Sequence, residues 1–112
     1  MAALSVDVLF DAAVRIQLQE RSLTITFSEN LVRVKFPTTR RLAEFLNVPH
    51  YYVLPYFAMM EEEELVTRAE RVGIMTTAKG SRKMIDLMHQ KYPAQSSEIL
   101  GAAVFKELVR KA

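Results

Sequence analysis

A chain of 112 residues, half of them hydrophobic and a quarter charged, has the length of one domain and a globular balance, which excludes two ordinary domains and a disordered chain. The absence of cysteine excludes disulfides, thiolate metal sites and cysteine nucleophiles, and fits a reducing, cytoplasmic setting. The net charge of +2 is small but uneven. Glu61, Glu62, Glu63 and Glu64 form one acidic block. Arg33, Lys35, Arg40 and Arg41 form a basic group, and Arg68, Arg71, Lys79, Arg82 and Lys83 a second, diluted only by Glu70. Two separate basic groups suit contact with phosphates; the competing explanation is solvated surface charge.

The first ten residues carry no basic segment, and Asp7 and Asp11 interrupt any apolar run, so no signal peptide is expected. No stretch of about 18 apolar residues occurs, so neither a membrane span nor a membrane partner is expected. Ser5 caps a predicted helix from Val6 to about Gln19. Its apolar positions (Val6, Leu9, Phe10, Ala13, Val14, Ile16 and Leu18) cover more than one stripe, which predicts that part of this surface meets a partner chain. Leu23, Ile25 and Phe27 alternate with Thr24 and Thr26, and Val32, Val34 and Phe36 with Arg33 and Lys35. With the polar Ser28-Glu29-Asn30 between them, these runs predict a β-hairpin that ends at Pro37.

Thr38 or Thr39 caps a short helix, Arg40 to Leu46. Asn47-Val48-Pro49 makes a tight turn, because Asn tolerates the left-handed conformation that ends a helix and Pro fits the first turn of the next. A longer helix follows, about Pro49 to Glu63, with Pro55 inside it; the alternative start is near Leu54, after an irregular segment. Leu65 to Thr67 and Ile74 to Thr77 read as two strands around a polar loop. Ser81 to Gln90 reads as a helix, Tyr92 to Gln95 as a break, and Ser96 or Ser97 as the cap of a last helix reaching about Lys111, with Leu100, Val104 and Leu108 four apart.

Helix, short turn, helix and then a two-stranded ribbon is the winged helix-turn-helix order. Thr39-Arg40-Arg41-Leu42-Ala43-Glu44-Phe45-Leu46-Asn47-Val48 resembles the first helix and turn of the MarR and PadR type of bacterial and archaeal regulators. Met60-Glu61-Glu62-Glu63-Glu64-Leu65-Val66-Thr67-Arg68 resembles their passage from recognition helix to wing, with Glu64 where those proteins usually have glycine. Thr77-Ala78-Lys79-Gly80 resembles their exit from the wing. The likeness covers residues 38 to about 90, roughly half the chain. It implies a winged-helix core over 37–90; with the hairpin and end helices read above, the expected fold is α+β, mainly α, a single domain over 1–112 with an extra N-terminal β-hairpin and flanking dimerisation helices at about 5–20 and 96–111.

By position, the resemblance implies a recognition helix that presents His50, Tyr51, Tyr52, Leu54, Pro55, Ala58 and Met59. It carries no Arg, Lys, Asn or Gln, so the common bidentate contacts to guanine and adenine are missing. Phosphate contacts are expected from Lys35, Thr39, Arg40 and Arg41 and, on the wing, from Arg68 and Arg71. The expected partners are double-stranded DNA and a second copy of the chain, in a dimer with recognition helices about one DNA turn apart. The expected role is transcriptional regulation by occupancy; a plasmid-partition factor is the alternative within DNA binding. A protein-binding module that uses the exposed aromatic face competes with both. His50 and His89 belong to no ligand-spaced cluster, no nucleophile elbow appears, and the three glycines form no phosphate loop. Neither an enzyme, a metal nor a cofactor is therefore expected.

Overall fold

The computed structural model describes residues 3–28, 31–69 and 73–111. Its first element begins where the Ser5 hydroxyl accepts from the Val8 amide at 3.1 Å, opening helix α1, Val6–Glu20. Leu9, Phe10, Ala12, Ala13, Val14, Ile16, Gln17 and Leu18 of α1 are all buried. The helices that surround it are α2 (Thr39–Leu46), α3 (His50–Glu62), α4 (Ala78–Lys91) and α5 (Pro93–Leu100). The wide apolar surface that the sequence assigned to a partner chain is thus consumed inside this one. The correction has a simple cause: α1 is a central helix, and a central helix is apolar nearly all round.

The strands are β1 (Ile25–Ser28), β2 (Leu31–Phe36), β3 (Val66–Ala69) and β4 (Gly73–Thr76). They form one antiparallel sheet in the order β1-β2-β4-β3. Ile25 lies opposite Val34, Lys35 opposite Met75, Phe36 opposite Ile74 and Val66 opposite Thr76. The architecture is therefore α+β and mainly helical. Two ribbons that look independent in the sequence share a sheet because β2 pairs on both sides. The expected turn at Ser28-Glu29-Asn30 and the loop residues Glu70, Arg71 and Val72 fall largely outside the described residues.

The seam between the ribbons is a chain of hydroxyls. The β2–β4 ladder covers only Lys35 and Phe36. One step further on, the Val34 amide donates to Thr76 Oγ1 at 2.8 Å, Thr76 Oγ1 lies 2.6 Å from Ser81 Oγ, and the Ser81 hydroxyl donates to the Val32 carbonyl at 2.5 Å. Run in that direction, every donor meets an acceptor: N–H to Thr76, Thr76 to Ser81, Ser81 to C=O. Thr76 and Ser81 are buried, so a break would strand polar groups away from water.

The C-terminal half departs from the expected boundaries. Thr77 caps α4, accepting from the Gly80 amide at 3.1 Å, so that helix starts three residues before Ser81. Gly80 is required there, since a Cβ would stand 1.8 Å from the Leu65 carbonyl oxygen. The expected last helix over 96–111 is two: α5 already starts at Pro93, where proline fits a first turn, and Gly101, at φ 89, separates it from α6 (Ala102–Lys111). Tyr92, at the α4–α5 junction, donates to Asp11 Oδ1 at 2.7 Å. Burial and that bond push its phenol up to about 12. Among the described residues no helix is long and apolar enough to cross a membrane.

Thr76→Val should lower stability by about 1–3 kcal/mol, read from the midpoint of urea unfolding; an unchanged midpoint would contradict the hydroxyl seam. A second expectation concerns pH. Unfolded tyrosine ionises near 10 and folded Tyr92 near 12, so its contribution is complete below pH 10 and lost as pH climbs toward 12. Tyr92→Phe should lose less stability between pH 9 and 11.5 than the parent chain does, and equal losses would refute the raised phenol that burial and the Asp11 bond produce.

Candidate nucleic-acid interface

Helix α2 starts at Thr38, whose hydroxyl accepts from the Arg41 amide at 3.1 Å. It stops at Asn47, which is left-handed (φ 57). The Asn47 amide then reaches back to Glu44 O at 3.2 Å and the Val48 amide to Ala43 O at 3.0 Å. This paired closure satisfies the last carbonyls and turns the chain within three residues. Pro49 leads into α3, which begins at His50 and not at Leu54. Pro55, the sixth residue of α3, lacks the amide that would bond the Tyr51 carbonyl, and the helix runs on through it.

Thr39 Oγ1 and His50 Nε2 lie 2.7 Å apart, which joins the first residue of α2 to the first residue of α3. If the helices ran antiparallel, these residues would be separated by the length of α2, about 12 Å along its axis, and by an interaxial distance of about 8–10 Å. That exceeds the combined reach of a threonine and a histidine side chain. The two helices are therefore not antiparallel; their N termini lie side by side. Leu42 of α2 and Val53, Phe57 and Met60 of α3 are buried in one core cluster, and Leu46 and Val48 pack against it half-buried.

The opposite side of α3 faces solvent. Tyr51 and Tyr52 are 64% and 49% exposed, Leu54 41% and Met59 46%; Pro55 and Ala58 are exposed as well. The two tyrosine rings meet edge to face, 4.7 Å between centroids. Beyond them the helix ends at Glu63, with Glu64 left-handed (φ 60). The Glu64 amide bonds Glu61 O at 3.1 Å and the Leu65 amide Met60 O at 2.8 Å. Glu64 thus holds the backbone conformation that glycine favours, at the position where the resembling regulators carry glycine.

The residues expected to meet DNA do not all stand free. Arg40 is exposed beside Asn47, Pro49 and His50, in a recess that also holds Glu44. Lys35 is exposed and shares a second recess with Thr38 and Arg41. Arg41, however, turns back to Glu20 of α1, its Nε donating at 3.0 Å. Arg68 on β3 pairs with Glu61 at 3.4 Å. Arg71 lies outside the described residues. Thr39 and His50 are engaged with each other, half-buried, and Tyr51, Tyr52 and Pro55 project outward from α3. Of the second basic group, Lys79 donates to the Glu63 carbonyl at 3.1 Å and Lys83 to Asp7 at 2.5 Å.

Sequence reasoning missed these counter-charges. Glu20 lies 21 positions from Arg41, and Asp7 lies 76 from Lys83. No local spacing signals such pairs; the packing of α1 against α2 and α4 creates them. In comparisons with known proteins, no family model matches the chain, and neither a curated protein nor a solved structure matches it.

Glu64→Gly should raise stability by about 1 kcal/mol, because a side chain in the left-handed region costs about that much. A lower thermal midpoint in the variant would show that the Glu64 side chain compensates in another way.

Proposed function

We propose that this chain is a winged helix-turn-helix protein that binds double-stranded DNA, a transcriptional regulator acting by occupancy, with α3 in the major groove and the β3–β4 ribbon as its wing. The observation that carries the proposal is the Thr39–His50 bond at 2.7 Å. It supports a steep crossing of α2 and α3 that leaves the N-terminal half of α3 standing out from the molecule, where such proteins contact base edges. The order of elements supports it too: the ribbon follows α3 directly and is tied to β2, the strand before α2.

Affinity in this proposal comes from phosphates. Arg40 stands at the start of α2. The first turn of α3 has no side-chain cap, and its positive end lies beside Arg40. Lys35 extends the track along β2. Arg41 and Arg68 begin with carboxylate partners, but their ion pairs are exposed and worth at most about 1 kcal/mol, so a phosphate can displace the carboxylate. The Glu61–Glu64 block repels the backbone and confines contact to the N-terminal half of α3.

A second proposal is favoured by one observation. Tyr51, Tyr52, Leu54 and Met59 form an exposed aromatic and apolar face, of a kind enriched at protein interfaces. A winged helix that used this face only for a protein partner would retard no duplex at low salt.

Arg40→Ala should weaken binding to all duplexes alike and lower the slope of log K against log salt by about 1, read by fluorescence anisotropy between 50 and 200 mM salt, roughly the range over which phosphate contacts weaken. Glu20→Gln, which releases Arg41, should strengthen it. Binding that ignores both substitutions would end the phosphate assignment. Pairing of two copies on one duplex belongs to the same proposal, and a complex of one chain per duplex in light scattering would remove that part.

A further inference from the structure

The exposed arc of α3 is chemically one-sided. At about 100° per residue, Tyr51, Pro55 and Ala58 lie at its centre, Leu54 on one flank, and Tyr52 and Met59 on the other; all six are exposed. From His50 to Glu62 the helix holds no Arg, Lys, Asn or Gln, and His50 is occupied by Thr39. The bidentate donors that read guanine are absent, as are the amides that read adenine. On this arc only the tyrosine hydroxyls can donate a hydrogen bond. Glu62 lies on the same arc but in the last turn, one turn beyond Ala58, so the uncharged part of the arc is its N-terminal half.

A major groove offers such a surface one complementary feature, the 5-methyl group of thymine. We propose that the Leu54 and Pro55 part of α3 recognises thymine methyls, so that the preferred target is a duplex whose major groove carries a run of them. This rests on α3 being the DNA-binding helix. Charge argues for the duplex as occupant of the apolar face: Arg40 and the uncapped positive end of α3 border the patch where the phosphates flanking those methyls would lie. Specificity then comes from apolar contact, and general affinity from the cations.

The test uses the full chain and one duplex made in two forms, with thymine and with uracil, which differ only by the methyl groups. Each methyl buried against an apolar side chain is worth about a fourfold change in affinity. The thymine duplex should bind more tightly by about that factor for each methyl contacted. A G·C-rich duplex should gain affinity when its cytosines carry the same 5-methyl group. Leu54→Ser, at a position outside the buried core, should bring the thymine-to-uracil ratio toward one, whereas Arg40→Ala should weaken both forms and leave the ratio intact. Equal affinity for the two forms overturns the inference while leaving DNA binding standing, and so does a ratio that Leu54→Ser does not change. Failure to bind any duplex at low salt overturns the DNA assignment and this inference with it.

Discussion

Three phenylalanine rings tie the molecule together. Phe10 of α1 meets Phe36 of β2 at 5.1 Å, and Phe36 meets Phe57 of α3 at 5.8 Å, both edge to face. Each ring is buried, worth about 1.5–3 kcal/mol in area alone, with a further gain from the paired geometry. Phe36 is the middle link and the last residue of β2. It sets the sheet against α1 on one side and α3 on the other. The hydroxyl seam at Thr76 and Ser81 is built on the same strand, at Val34 and Val32. A chain that failed to seat Phe36 would keep its local elements and lose their relation to one another.

The same packing decides which charges are available. Read along the chain, the basic residues suggest two phosphate clamps. In space, α1 brings Glu20 to Arg41 and Asp7 to Lys83, while Arg68 and Lys79 gather at the end of α3. That end needs cations. Four glutamates stand there together with the negative pole of the helix, an arrangement that opposes the usual preference for positive side chains at a C terminus. Arg68 reaches Glu61 and Lys79 the Glu63 carbonyl, so both relieve a repulsion built into the fold. Arg40 and Lys35 stand out on the other side, at the start of α2. The helix is left polarised along its own axis, cationic near His50 and anionic near Glu62.

Periodicity and turn chemistry made most of the elements legible. Alternation in Leu23–Phe27 and Val32–Phe36 marked strands, and Asn47 with Pro49 marked the turn between helices, because these signals act over a few residues. What could not be read depends on distant partners. Thr76 looks like any strand threonine until Ser81 and Val34 are beside it. The width of the apolar surface on α1 signalled burial correctly but did not say by what, since a second copy and the rest of the chain satisfy it equally. Gly101 and Pro93 carried usable signals, a helix break and a helix start, that the apolar spacing of Leu100, Val104 and Leu108 outweighed. For the candidate site, the exposure of Tyr51, Tyr52, Pro55 and Arg40 agrees with the sequence, whereas the engagement of Thr39 with His50 and of Arg41 with Glu20 required the fold.

Neighbours in a helix do not ordinarily face each other, yet the rings of Tyr51 and Tyr52 touch. That contact restricts two large side chains that solvent would otherwise leave free. Thr39 and His50 do the same for the turn beneath them, and the left-handed residues Asn47 and Glu64 fix both ends of the segment with paired backbone bonds. Ordering side chains on association costs roughly 0.5–1.5 kcal/mol each. A surface whose rings and turns are already held has met part of that cost in folding. In the proposed complex with DNA, that would lower the cost of docking α3. Discrimination by a few methyl-sized contacts requires such rigidity, because a yielding surface would fill the gap left by a missing methyl and lose the difference.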